Sequence, residues 1–149
     1  MGPLLLPGGL VFADGKSGLG YLLHANGLGG VGGQAQVTSI CSSYGGSAAL
    51  GTHLFVPCTN GLLEVVVGPG AQITRGWQAA GQVNGSPIVS SHTVYSLDRN
   101  GTLYALNSDN GVVITSQPVG ATSRFATPTL AGGHVYVGTM TGIVAVSIA

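Results

Sequence analysis

Short apolar runs of four to six residues recur along the whole chain, separated by clusters of Gly, Asn, Ser and Thr. The runs are rich in Val, Ile, Leu, Tyr and Thr, whose branched or flat side chains suit a pleated strand better than a helix. No segment of ten or more residues carries apolar side chains at the helical period, so helix is expected to be nearly absent. The runs also return in a fixed order. Ser47-Ala-Ala-Leu50, Ser86-Pro-Ile-Val89 and Thr127-Pro-Thr-Leu130 each precede a second run, at Leu54–Val56, Val94–Ser96 and Val135–Val137. A turn ending in glycine follows, at Asn60-Gly61, Asn100-Gly101 and Thr141-Gly142, and then a third run at Leu62–Val65, Leu103–Leu106 and Ile143–Val146. An earlier copy reads Leu4–Leu6, Leu10–Phe12, Gly18 and Leu19–Leu23. The Asn-Gly pairs supply the positive φ angles that tight hairpins need. A fourth, weaker strand is expected at Gln36–Ile40, Thr74–Ala79 and Val112–Gln117.

Each repeat is therefore an antiparallel meander of four strands in roughly 40 residues, the period of a propeller blade. The predicted fold is all-β: a β-propeller of about four blades of four-stranded antiparallel meanders. They form one partial domain, with approximate blades at 3–40, 46–80, 85–118 and 126–149. The last blade is expected to lack its outer strand. Such a half-ring leaves two blade faces and one strand edge without partners. Two readings remain: a fragment whose remaining blades lie elsewhere, placed first, or a half completed by a second copy of the chain.

The segment Gly85–Gly111 resembles repeats of the PQQ-like (quinoprotein-like) β-propeller family, as does Phe125–Val146, and the resemblance extends over nearly the whole chain. The family includes quinoprotein dehydrogenases, BamB-type lipoproteins and other exported bacterial proteins. Its docking pattern, Ala-x-Asp-x-x-Thr-Gly-x-x-x-Trp, is partly kept: Ala105, Asn107, Asn110 and Gly111 fall on it, while Thr115 stands where the Trp would be. The resemblance implies an exported protein of the extracellular space, cell envelope or periplasm, and rings of more blades than this chain holds.

Composition narrows the function. Of 149 residues only 5% are charged, four Lys/Arg against four Asp/Glu, and 27 are Gly. Four cations in a neutral chain cannot neutralise a phosphate backbone, so nucleic acid is excluded as a partner. Between Lys16 and Glu64 no charged residue occurs, yet polar residues interrupt every apolar run well short of the ~18 needed to span a membrane. The start, Met1–Pro7, has no cationic segment ahead of its leucines and does not read as a signal peptide. An export signal would lie outside this sequence.

Few residues could carry chemistry. Gly27-Leu-Gly-Gly-Val-Gly32 matches a dinucleotide-binding fingerprint, but a short strand pattern follows it instead of a helix, and no acid appears until Glu64. It reads as a loop. Cys41 and Cys58 are the only cysteines; a disulfide between them would staple two neighbouring blades, and two buried thiols are the alternative. A zinc site lacks the usual spacing. His53, His92 and His134 fall on equivalent hairpins of successive blades, about 10 Å apart by sheet spacing, too far to share one ion. His24 stands alone. No catalytic residue is assigned, since neither a nucleophile with its base nor an acidic pair is implied. Trp77 is expected to pack between blades. Asn84-Gly85-Ser86 and Asn100-Gly101-Thr102 match glycosylation sequons, though a turn explains each.

The remaining polar signal lies in turns. Asp14, Lys16, Asp98 and Arg99 occupy turns between second and third strands, with Asn60 and Asn100 in corresponding turns, and Arg124 and Phe125 in a connection between blades. In propellers these emerge on one rim. The expected function is a non-enzymatic binding or scaffold module presenting these loops to a protein or glycan partner, with no cofactor and no metal. The alternative is a piece of a quinoprotein dehydrogenase, which the resemblance would equip with pyrroloquinoline quinone and calcium.

Overall fold

The computed structural model describes residues 2–148. Its strands form four antiparallel sheets, each a meander in chain order. The first sheet holds β1 (Leu4–Leu6), β2 (Leu10–Asp14), β3 (Leu19–His24) and β4 (Gln36–Ser39). The second holds β5 (Ala48–Leu50), β6 (His53–Cys58), β7 (Gly61–Gly68) and β8 (Gln72–Gln78). The third holds β9 (Ile88–Ser90), β10 (Thr93–Leu97), β11 (Thr102–Asn107) and β12 (Val113–Pro118). The fourth has three strands, β13 (Thr129–Ala131), β14 (His134–Gly138) and β15 (Ile143–Ser147). Among the described residues the only helical element is one 3-10 turn, Pro69–Ala71, inside the β7–β8 hairpin. The architecture is the partial β-propeller anticipated from the repeat. The predicted turn glycines do the expected work: Gly18, Gly61 and Gly101 have φ of +82°, +118° and +82°, where a side chain would be strained.

Alternation of side chains places one row of each sheet against the sheet before it and the other against the sheet after it. Phe12, Phe55 and Tyr95 hold one repeat position and lie 1%, 0% and 8% exposed, each packed toward the following sheet. Leu54, Val94 and Val135 precede or follow in the opposite row and seal the junction with the preceding sheet. Burying one such side chain contributes about 1.5–3 kcal/mol. Because both faces of the second sheet are covered, five consecutive residues of β6, Leu54–Cys58, are buried. That removes the inside–outside alternation which one-sided sheets show. The outer strand β12, by contrast, is exposed at every position.

Polar contacts pin the junctions. Cys41, just past β4, is bonded to Cys58 at the end of β6, with Cα atoms 5.7 Å apart. This disulfide joins the first sheet to the second. Arg75 Nη1 donates to Ile40 O at 2.7 Å, and Ile73 N donates to Gln36 Oε1 at 2.8 Å. At the next junction Trp77 Nε1 donates to Ser108 O at 2.8 Å, with its ring 5.8 Å from that of Phe55. Gly111, at φ +70°, lies against the indole, and a Cβ there would run into it. Trp77 is thus a blade-packing residue. At the third junction Thr115 faces a cavity of about 280 Å³ shared with Gln117, Val146 and Ile148.

Candidate functional site

The turns between second and third strands and the connections between sheets do meet on one rim. Arg99, from the β10–β11 turn, and Arg124 and Phe125, from the β12–β13 connection, line a pocket with Tyr44, Thr59 and Asn84. It continues into a cleft of about 310 Å³ bounded by Gln82, Asp98 and Asn100. The disulfide helps to build the pocket floor. Cys58 lines it, and Thr59 N donates to Ser42 O at 3.0 Å, so the 41–46 segment that carries Tyr44 is held against the end of β6. Gly46 N donates to Ser86 Oγ at 3.1 Å on the far side of that segment. Gly45 passes so close to Ser86 and Pro57 that a Cβ would collide with both side chains' neighbourhood, which explains a glycine beside Tyr44.

Three of the chain's four Lys and Arg residues sit here. Arg124 Cζ lies 4.7 Å from the Tyr44 ring centroid and 5.8 Å from that of Phe125, its neighbour in the connection. Lys16 Nζ lies 5.3 Å from the Tyr44 ring. Such cation–ring contacts are worth about 0.5–1 kcal/mol when exposed. Among the described residues no carboxylate pairs with Lys16, Arg99 or Arg124; the sole ion pair joins His53 and Glu64. The two acids of this rim are occupied or suppressed. Asp98 is buried: its Oδ1 accepts from Asn100 N at 2.9 Å and Thr102 N at 2.8 Å, and its Oδ2 accepts from Tyr104 Oη at 3.2 Å. It shapes the turn that displays Arg99. Asp14, at the end of β2, has its carboxyl held above the ordinary range by burial, which outweighs the opposing hydroxyls of Ser43 and Ser47. Its Oδ2 and both hydroxyls complete no protein hydrogen bond. The rim is therefore locally positive although the chain is neutral.

The other singled-out residues lie elsewhere or serve other ends. Asn60 is exposed on the rim but outside the pocket, its carbonyl accepting from Gln78 Nε2 at 3.2 Å. His53, His92 and His134 are on the opposite ends of the strands; His53 Nδ1 lies 2.7 Å from Glu64 Oε1, and His134 Nδ1 lies 3.0 Å from Gly132 O. Gly27–Gly32 falls in the β3–β4 connection. Tyr44 belongs to the pocket and was not singled out in the sequence; Thr59 shares the turn of Asn60, and Asn84 was marked there only as part of a sequon. Tyr44 has no repeat equivalent, and its nearness to Cys41 is the one signal that could have marked it. Glu64 was also missed; Gly76 opposite leaves the room its carboxylate needs.

Pyrroloquinoline quinone with calcium does not fit the described residues. The one indole is spent between sheets, against Gly111 and Phe55. The rim's buried carboxylate, Asp98, is saturated by turn donors, and the pocket's charged side chains are cations, which repel calcium.

Comparisons with known proteins agree on the fold. No family model and no curated protein matches the sequence. Solved structures do match. BamB from Moraxella catarrhalis superposes with a TM-score of 0.77 at 19% identity, over 99% of this chain and 49% of that one. The β-propeller domain of Cps50 (Swd1) from Myceliophteria thermophila gives a TM-score of 0.74 at 12% identity, over 99% of this chain and 50% of that one. The computationally designed Ika4 protein matches end to end, covering 100% of each chain, with a TM-score of 0.71 at 13% identity. The chain thus has a β-propeller fold and spans about half the length of BamB and of the Cps50 domain. No helix of the described residues is long and apolar enough to cross a membrane.

Proposed function

We propose that this chain is a non-enzymatic binding module of PQQ-like propeller type, and that its cationic rim holds a carboxylate-bearing segment of a protein partner. The observation that carries this reading is the convergence of Lys16, Arg99 and Arg124 on Tyr44 and Phe125, with no acid of the described residues paired to them. Arginine and tyrosine dominate binding energy at protein interfaces, because each joins a broad apolar surface to fixed hydrogen-bond donors. A Tyr, a Phe and two Arg gathered in so charge-poor a chain are difficult to explain as solvation alone. The disulfide and the likeness to BamB support an exported protein working in the cell envelope or outside it.

Calorimetric titration with a glutamate-rich peptide containing one aromatic residue tests the proposal, with a hyaluronan oligosaccharide as the glycan arm. The expected result is peptide binding that weakens with salt and falls at least tenfold in R99E/R124E, with the sugar binding weakly or not at all. Equal peptide affinity in that variant would refute the assignment, and preference for the sugar would move the partner to the glycan class. Stoichiometric quinone uptake in calcium, with dye reduction by an alcohol, would overturn the non-enzymatic reading.

A further inference from the structure

The cleft of about 310 Å³ beside the cationic pocket is walled by three connections. Thr59 comes from the β6–β7 turn, Gln82 and Asn84 from the β8–β9 connection, and Arg99 and Asn100 from the β10–β11 turn. Thr59, Asn84 and Arg99 also line the pocket that holds Tyr44 and Arg124, so the two recesses are continuous. Their chemistry differs. The pocket is cationic and aromatic, whereas the cleft is lined by three primary amides and by no aromatic ring. Its one acid, Asp98, is saturated within its own turn.

Asn84 is set before any partner arrives. Its Nδ2 donates to two main-chain carbonyls, Gly81 O at 3.2 Å and Thr59 O at 3.5 Å. With the nitrogen end of the amide turned to two acceptors, Oδ1 is left free to accept, and no described residue donates to it. The backbone on either side is fastened as well: Leu62 N donates to Val83 O at 2.7 Å, and Gly85 N donates to Leu97 O at 2.8 Å. Gly85 runs so close to the Leu97 main chain that a Cβ would collide with it. The cleft therefore holds a fixed acceptor, which costs little ordering when a partner binds. Gln82 and Asn100 are exposed, and among the described residues their side-chain amides make no hydrogen bond, so each can supply an N–H. A bare carboxylate only accepts, and Asn84 Oδ1 repels it. A peptide unit carries one donor and one acceptor, which is what a fixed oxygen beside free amide N–H groups can satisfy.

We infer that this cleft reads the main chain of the bound segment: an N–H of an extended peptide donates to Asn84 Oδ1, a neighbouring C=O accepts from Asn100 or Gln82, and the acidic side chain reaches Arg99 and Arg124. This assignment rests on the cationic-rim reading and goes one step past it, because the acid must arrive as part of a polypeptide. Main-chain hydrogen bonds give extended segments their affinity, while side-chain pockets give the choice between them. Here Arg99 borders both recesses, so one side chain links the two kinds of recognition. A sugar could offer hydroxyls to the same amides, but the apolar face of its ring would meet no flat side chain in the cleft.

Amide-to-ester replacement along the glutamate-rich aromatic peptide tests this, because each ester removes one N–H and leaves the charges alone. Calorimetric titration should find one position, beside a glutamate, where the ester binds about five- to tenfold more weakly than the amide. Against Asn84→Ala that difference should vanish, since the acceptor is gone, and such coupling isolates the pair. Asn84 also fastens its own loop, so a second variant guards the test. Gln82→Ala/Asn100→Ala changes exposed side chains that bond nothing in the protein; it should keep the circular dichroism spectrum and weaken the unmodified peptide about fivefold. Esters that bind as tightly as amides at every position, while R99E/R124E still loses the peptide, would overturn the inference and leave the cationic rim standing. A hyaluronan oligosaccharide that outbinds the peptide and weakens in Gln82→Ala/Asn100→Ala would also overturn it, because the cleft would then read hydroxyls. A peptide that fails to bind the wild-type chain at all would remove the cationic-rim reading, and this inference with it.

Discussion

Asp14 and Asp98 stand in equivalent turns, yet their surroundings give them opposite roles. Asp98 accepts three hydrogen bonds and organises the loop that presents Arg99. Asp14 is partly buried beside two hydroxyls that complete no bond to it, and its carboxyl is held above the ordinary value of 3.8 by that burial. The folded protein therefore keeps a proton that the unfolded chain has already released. Stability should decline as pH rises from below 3.8 through the raised native value, and stay reduced at neutral pH. Asp14→Asn carries no charge to desolvate. It is expected to raise Tm near pH 7 and to leave it unchanged at about pH 3, as thermal melts across pH would show. An identical effect at both pH values would remove desolvation as the cause. The sequence placed both residues in the right turns but could not separate them, because burial depends on the 43–47 segment folding over β2. Tyr44 was hidden for the same reason: its partner Arg124 is 80 positions away by residue number, and only stacking of the sheets brings them to 4.7 Å.

At the scale of elements, the strand pattern was legible because each sheet is a local meander whose partners are adjacent in sequence. Register within β2–β3 or β10–β11 follows from short turns with positive-φ glycines. The β7–β8 pair was less legible. Pro69–Ala71 forms its turn, and a register shift opposite Leu63–Val65 puts an extra residue into β8, where Gly76 leaves room for Glu64. Junctions between sheets differ in their fastenings. The first has the disulfide, closing a separation of 17 residues, for which chain entropy gives about 3 kcal/mol. Cys41→Ser/Cys58→Ser should lose about 2–4 kcal/mol in urea denaturation, and a wild-type sample with reductant should lose the same. The second has Trp77; the third has Thr115 and a cavity of about 280 Å³ in the corresponding place. Thr115→Trp is expected to fill it and gain about 0.5–2 kcal/mol in the same assay. A loss instead would mean that the third junction is spaced differently from the second.

For the whole molecule, scarcity of charge is the feature that fold and function share. Interior sheets covered on both sides admit few ionised groups: Glu64 within β7 is paired with His53, and Arg75 within the outer strand β8 reaches Ile40 O. The other charges lie at strand ends and turns, and three cations, Lys16, Arg99 and Arg124, share one rim. Under the proposed function, a stacked scaffold that buries apolar rows while gathering cations and aromatics on a single rim offers a partner one favoured place to bind. The repeat made the rim predictable as a place, while its chemistry depended on long-range packing. Chemical-shift mapping of backbone amides during titration with the glutamate-rich aromatic peptide tests this most directly. The account predicts shifts confined to the rim loops, at 14–18, 42–46, 59–60, 82–86, 98–101 and 122–126. Shifts concentrated instead at the opposite strand ends, around 25–33, 51–53, 91–93 and 132–134, would contradict it.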